Sequence, residues 1–198
     1  MNAKRLLDIV CAAIGLVALA PIFMLIALWI KSDSPGPVFF RQMRVGQDGK
    51  MFQIYKFRTM VVQAENLGGK ITSASDPRIT PSGAVLRHYK LDELPQLINV
   101  LKGEMSLVGP RPEVPEFVAY YPEELRKRIL SVRPGITDPA SIEFRNESDL
   151  LSGSQDPQRV YLQKILPLKI AHYDKYIATR SFWLDIKLVF WTLKEIFR

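Results

Sequence analysis

The sequence predicts an α+β fold, mainly helical: an N-terminal re-entrant membrane segment (helix, break, helix), a small β-hairpin, site-bearing helices and a C-terminal interfacial amphipathic helix. Three observations predict it. The first is an uncharged run of about 22 residues, Ile9 to Ile30, flanked by Lys4 and Arg5 before it and by Lys31, Arg41 and Arg44 after it. The second is a pair of short β-rich runs, Val38-Phe39-Phe40-Arg41 and Met51 to Phe57, separated by Gly46-Gln47-Asp48-Gly49. The third is helical spacing of apolar residues, at Leu91, Leu94, Leu97 or Ile98 and Leu101, and again from Phe182 to Arg198. Together they place an anchor at 1–32 and one domain at 33–198, with the interfacial helix at 182–198 included.

The anchor comes first in the chain. A helix of this length can cross the roughly 30 Å hydrocarbon core, but cations on both flanks ask both ends to remain cytoplasmic. Pro21 removes a backbone donor and clashes with the carbonyl four residues earlier, so a break is expected at Ala20 and Pro21. The expected topology enters one leaflet, turns there and returns. A spanning anchor with a tolerated proline kink accounts for the same composition. A secretory signal peptide fits less well, because the run is too long and no small-x-small site precedes Lys31.

After the anchor, Ser34-Pro35-Gly36-Pro37 stops the helix and the two β-rich runs form a hairpin over the Gly46–Gly49 turn. Val61 to Pro81, with Gly68-Gly69, Ser73, Ser75 and Asp76-Pro77, reads as a surface loop. A helix over Leu91–Lys102 ends on a cationic last turn and a Gly103 C-cap. Pro122 to Ser131 reads as a charged amphipathic helix stopped by Arg133-Pro134-Gly135, and Glu147 to Pro157 as loop. On the last helix, Phe182, Ile186, Val189, Phe190, Leu193, Ile196 and Phe197 cover one face, while Lys187, Lys194 and Arg198 gather on another with Trp183 and Trp191 at its margins. Aromatic residues beside cations suit a helix lying in a membrane interface; a core-packed helix with a basic edge fits the same pattern.

Composition narrows the partners. Lys and Arg total 27 against 20 Asp and Glu, a net charge of +7, with a sequence pI near 9.5. That surplus favours anionic partners, and the apolar run turns the choice from nucleic acid towards phosphorylated molecules and lipid headgroups. Nucleic acid is further disfavoured because the aromatic residues cluster in apolar stretches. One cysteine, Cys11, and two histidines, His88 and His172, exclude disulfides and make a zinc site improbable.

The candidate chemistry lies at Asp92-Glu93. Pro95 fits only the first turn of a helix, so the helix is expected to start within a residue or two of Asp92, where free N–H groups favour a carboxylate or a phosphate. A plain N-cap aspartate is the alternative. Around this pair the sequence supplies Lys56, Arg58, Arg87, Lys90 and Arg111. If they converge, the site suits phosphoryl transfer, in which cations neutralise phosphate, one carboxylate attacks phosphorus and its neighbour binds a metal. A non-enzymatic module holding anionic lipid explains the anchor and the charge, but gives no reason for the paired carboxylates.

Four segments carry a resemblance: Lys56-Phe57-Arg58-Thr59-Met60; Leu91-Asp92-Glu93-Leu94-Pro95-Gln96-Leu97-Ile98-Asn99-Val100; Lys102-Gly103-Glu104-Met105-Ser106-Leu107-Val108-Gly109-Pro110-Arg111-Pro112; and Arg133-Pro134-Gly135-Ile136-Thr137. The chain closely resembles the bacterial sugar transferase family, the monotopic phosphoglycosyl transferases, from Arg5-Leu6-Leu7-Asp8 to Asp185-Ile186-Lys187. It looks like the minimal form, with one catalytic domain and no additional membrane bundle. The resemblance implies transfer of a sugar 1-phosphate from a UDP-sugar to undecaprenyl phosphate at the cytoplasmic face of the bacterial inner (plasma) membrane, releasing UMP. It implies Asp92 as the nucleophile of a covalent phosphosugar intermediate, and Glu93 as the acid that supports Mg²⁺ beside it. It also points to Lys56, Arg58, Arg87 and Arg111 as phosphate contacts and to the re-entrant topology at Ala20-Pro21. Two segments depart from the family pattern: Asp138-Pro139-Ala140-Ser141, followed by 142–147, and Tyr173 with Asp174, which leaves Asp174 a doubtful site residue. Neither the sugar nor the oligomeric state is legible in the sequence.

Overall fold

Alternate burial in β2 (Met51–Phe57) sets the centre of the domain: Phe52 and Ile54 face inward and Phe57 closes the strand. β1 (Phe39–Val45) pairs with it antiparallel, Phe39 opposite Phe57 and Val45 opposite Met51, over a 3₁₀ turn at Gln47–Gly49. The expected hairpin is present, and its first strand is longer than the β-rich run that announced it. The computed structural model describes residues 3–68, 71–72, 76–144, 151, 154 and 156–196.

The fold is α+β and mainly helical. α1 (Ala3–Asp33) is followed by the hairpin, α2 (Pro81–His88), α3 (Gln96–Lys102), β3 (Ser106–Val108), α4 (Pro115–Val118) and α5 (Glu123–Ile129). Then come β4 (Gly135–Thr137), α6 (Pro139–Glu143), α7 (Pro157–Val160), a π turn at Tyr161–Ile165, α8 (Leu166–Thr179) and α9 (Phe182–Ile196). β3 and β4 form a second, parallel pair, Ser106 opposite Gly135 and Val108 opposite Thr137. The largest apolar cluster joins Phe117, Tyr121 and Ile129 to Tyr161, Leu166 and Tyr173 of the C-terminal helices.

α1 is one helix of 31 residues, about 46 Å long at 1.5 Å per residue. Its most apolar window has a mean hydropathy of 2.8 and is 11% buried, so by length and composition it suits a membrane. The break expected at Ala20-Pro21 does not interrupt it. Pro21 withdraws one donor, and helical structure continues on both sides. One side of this helix packs on the domain: Ala12 against Phe52, Val100 and Met105, and Ile26 and Ile30 against Phe57 and Leu86. The other exposes Val10, Ile14, Val17, Leu25 and Leu28.

The remaining expectations met mixed outcomes. The 61–81 loop contains a 3₁₀ turn at Ala64–Asn66, and Pro81 opens α2, with the Thr80 hydroxyl accepting from Gly83 N. Residues 69–70 and 73–75 of the loop lie outside the described residues, as do 147–150, 152–153 and 155 of the second expected loop, 145–147 of the first departure, and Phe197 and Arg198. The 122–131 helix appears as α5. On α9, Asp185 and Leu188 are buried, whereas Trp183, Lys187, Phe190, Trp191 and Lys194 are exposed together. The apolar face drawn from the sequence is therefore divided. Val189 packs with Leu188, while Phe182, Phe190 and Leu193 face outward beside the lysines.

Candidate active site

Proline at position 95 breaks the helix that apolar spacing drew from Leu91 to Lys102. In an α-helix the N–H of residue 95 would bond to the Leu91 carbonyl, and proline has none. Leu94 N bonds to Leu91 O instead, at 3.2 Å, so Leu91–Glu93 forms a 3₁₀ turn and α3 begins only at Gln96. Lys90, at φ +56°, joins α2 to that turn. Asp92 therefore sits in a tight turn between two helices rather than in the first turn of one. The far end follows expectation, with Gly103 at φ +85° closing α3.

Three elements converge on the turn. β2 brings Lys56, whose Nζ donates to Glu93 Oε1 at 2.6 Å. The segment after β3 brings Arg111, which donates Nη1 to Glu93 Oε2 at 3.1 Å and Nη2 to Oε1, a two-pronged pair. α2 brings Arg87 from its last turn. Its Nε donates to Thr59 Oγ1 at 2.8 Å, and its terminal nitrogens carry no hydrogen bond among the described residues. α2 can approach this closely because Gly83 lies against the Thr59 backbone: a Cβ there would come within 2.1 Å of the Thr59 oxygen.

The two adjacent carboxylates are set apart by their surroundings. Burial would raise the Glu93 carboxyl, but Arg111 and Lys56 outweigh it and hold the group well below the usual carboxylate range. Asp92, 8% exposed, accepts no hydrogen bond among the described residues. Burial lifts its pKa, and the Glu93 charge adds to that against the opposing pull of Lys56, Arg87 and Lys90. Lys56 is lowered by burial, partly offset by Glu93, whereas the Glu93 charge raises Arg111 well above its ordinary value. Glu93 is thus a fixed anion that aligns two cations, and Asp92 is a poorly solvated carboxylate with its oxygens unengaged. That division of labour suits a nucleophile beside a charged scaffold.

Two expected site residues belong elsewhere. Arg58 is 4% exposed and turned away from the carboxylates: its guanidinium donates to Ser34 O at 2.8 Å, Ile30 O at 3.3 Å and Pro35 O. The carbonyls at and just beyond the end of α1 claim it before any phosphate can. Asp174 lies on α8 and pairs with Arg128 of α5 at 3.0 Å, so it braces two helices. Its neighbour Tyr173 is fully buried in the core. The Asp138 departure is a helix cap, accepting from Ala140 N, Ser141 N and Ser141 Oγ.

Asn99 is a residue the motif reading quoted without assigning it a role. Its Oδ1 accepts from Tyr55 N at 3.0 Å and its Nδ2 donates to Gln53 O at 2.7 Å, so one side chain on α3 pairs with the β2 edge as a strand would. This fixes the Asp92–Glu93 turn against Lys56. A buried asparagine among apolar neighbours at helical spacing was the available signal.

The carboxylate pair also meets the needs of Mg²⁺, which takes one or two carboxylates and completes its shell with water and phosphate. Glu93 Oε2 accepts one donor, from Arg111, and the Asp92 oxygens accept none among the described residues.

The chain is similar to known proteins along its whole length. The bacterial sugar transferase family profile matches residues 1–198. The chain is 40% identical over 195 residues to a UDP-N-acetylgalactosamine-undecaprenyl-phosphate N-acetylgalactosaminephosphotransferase of Aeromonas hydrophila, covering 98% of this chain and 43% of that protein. It is 41% identical to a UDP-glucose:undecaprenyl-phosphate glucose-1-phosphate transferase of Escherichia coli K12, covering 96% and 39%. A protein of the same name from Caulobacter vibrioides is 40% identical, covering 98% and 69%. The chain spans about two fifths of the length of the first two. With the match running end to end and the site motifs in one cluster, the chain belongs to the bacterial sugar transferase family.

Proposed function

We propose that the chain transfers a sugar 1-phosphate from a UDP-sugar to undecaprenyl phosphate, in two half-reactions at Asp92. An Asp92 oxygen attacks the sugar-bearing phosphorus of the donor, and the bond from that phosphorus to the bridging oxygen breaks. UMP leaves with the bridging oxygen and its electron pair. A phosphate oxygen of the lipid then attacks the same phosphorus, and the bond to Asp92 breaks to restore the carboxylate and give the lipid diphosphate sugar. Arg111, Lys56 and Arg87 bind the donor phosphates and neutralise the charge that moves onto the leaving oxygen. Glu93 and Asp92 would hold Mg²⁺, which would supply further phosphate neutralisation there. The observation that carries this reading is the contrast within one turn: an unengaged, buried Asp92 beside a Glu93 clamped by Lys56 and Arg111.

We place the chain at the cytoplasmic face of the inner membrane, with both ends of α1 on that side. Lys4 and Asp8 at one end, and Asp33 at the other, bond to the same domain, which supports that placement. The exposed aromatic and lysine face of α9 extends the contact with lipid.

The test is incubation of the nanodisc-embedded chain with a panel of labelled UDP-sugars, undecaprenyl phosphate and Mg²⁺. UMP and a lipid diphosphate sugar are the expected products, with a sugar phosphate on Asp92 by mass spectrometry that Asp92→Asn lacks. Release of UDP, or product without the adduct, contradicts the mechanism. Cysteines introduced near residues 2 and 32 label from the cytoplasmic side if the topology holds, and from opposite sides if α1 spans.

A further inference from the structure

The two carboxylates of the membrane helix are not oriented at random. Asp8, one turn past the N-terminal end of α1, is 3% exposed, and its Oδ1 accepts from the backbone N–H of Leu107 at 3.1 Å. Leu107 is the middle residue of β3, four residues before Arg111. Beside it, Lys4 Nζ donates to Val108 O at 3.1 Å and pairs with Asp185 of α9 at 2.5 Å, while Tyr176 donates to the other Asp185 oxygen at 2.6 Å. At the opposite end Asp33 Oδ2 accepts from the backbone N–H of Ser82 at 3.1 Å and from its hydroxyl at 2.6 Å. Ser82 lies in the first turn of α2, five residues before Arg87. One helix thus grips the two arms of the site, each through an aspartate on a main-chain N–H.

We infer that Asp8 and Asp33 are positioning residues for the transfer reaction, holding the Arg111 arm and the Arg87 arm at fixed places relative to Asp92 through opposite ends of the membrane helix. Carboxylates bordering an apolar segment are costly and persist where they are paired. Arg111 and Arg87 approach the site from different parts of the chain, the segment after β3 and the last turn of α2. α1 bonds to both. Loss of either link lets one arm drift, and displacement of about 1 Å at a charge-neutralising group reduces transfer by up to ~100-fold.

This inference rests on the phosphosugar-transfer reading, and crossed double mutants in nanodiscs test it. Asp8→Ala and Asp33→Ala each lower kcat/KM by ~10- to 100-fold. Asp8→Asn and Asp33→Asn, which keep an acceptor oxygen but not the charge, recover most of the loss. Asp33→Ala adds less than about twofold to Arg87→Ala but its full effect to Arg111→Ala, and Asp8→Ala shows the reverse pattern. A merely structural role gives equal additivity in all four combinations and so overturns the assignment. So does an Asn variant as impaired as its Ala counterpart. Amide exchange reads the same links without turnover. Asp8→Ala is expected to deprotect Leu107 and its neighbours in β3 but not α2, and Asp33→Ala to deprotect the start of α2 but not β3. Unchanged protection overturns the inference even where wild-type transfer is intact. A wild-type chain that fails to transfer while both links behave as expected refutes the functional reading alone.

Discussion

Replacing Glu93 by Gln keeps the shape of the side chain and removes the charge that Lys56 and Arg111 share. All three side chains are largely out of water, at 16% exposure for Glu93 and Lys56 and 28% for Arg111. The variant therefore leaves two cations close together with no anion between them. Breaking a buried ion pair from one side costs about 3 to 5 kcal/mol, and the residual exposure of Arg111 places this case near about 3 kcal/mol. Arg111→Gln costs a similar amount by stranding Glu93 with Lys56 alone. The double variant Glu93→Gln, Arg111→Gln leaves only Lys56 without its anion and is less destabilised than the sum of the two, by about 2 kcal/mol. Chemical denaturation followed by tryptophan fluorescence in a fixed lipid environment gives the four stabilities of the cycle. Transfer activity is measured on the same samples and stays low in the double variant, because stability returns without the phosphate-binding cation. Additivity within about 0.5 kcal/mol refutes the claim that Glu93 clamps Arg111.

Other outcomes follow from the same geometry. The pH profile of kcat/KM has an acid limb above the ordinary aspartate range, since Asp92 must lose its proton to attack and burial raises its pKa; its alkaline limb lies below the usual lysine range, since Lys56 must keep its proton. An acid limb at or below the ordinary 3.8 contradicts this reading of Asp92. Because the Glu93 pKa is depressed in the folded chain, its contribution to stability is complete above the ordinary 4.5 and fades as pH falls through the depressed value; pH-dependent denaturation of wild type against Glu93→Gln measures this. Arg58→Ala lowers the melting temperature by several degrees but leaves the donor KM within twofold of wild type per folded molecule, as befits a cap on α1 rather than a phosphate ligand. Paired Trp183→Ser and Phe190→Ser substitutions weaken binding of the folded chain to anionic vesicles by at least tenfold, read by sedimentation.

Local chemistry made some of the fold legible and long-range contact decided the rest. The hairpin, α5, α9 and the Gly103 cap follow from period and turn residues within a few positions of one another. α2 carried an equally local signal in Thr80-Pro81, an N-cap followed by a proline at the first helical position, but the surrounding loop composition concealed it. The parallel β3–β4 pair could not be read, since three-residue strands 29 residues apart show no usable alternation. The convergence of Lys56, Arg87 and Arg111 on Asp92-Glu93 followed from motif resemblance, not from periodicity. Arg58 misled because proximity along the chain to Lys56 says nothing about direction: two residues on, the strand has ended and the guanidinium faces the carbonyls that end α1. The 3₁₀ turn under Asp92 was implicit in Pro95, whose missing donor the sequence already displayed.

The bond between Lys4 and Asp185 joins residues 181 positions apart. At roughly 5 to 20 residues per second, a ribosome needs about 10 to 35 s to make the second partner after the first. Through that interval the greasy first helix has no domain to cover it. Lipid suits its exposed apolar side in the meantime, and the pair with Asp185 forms only after most of the described residues have been made.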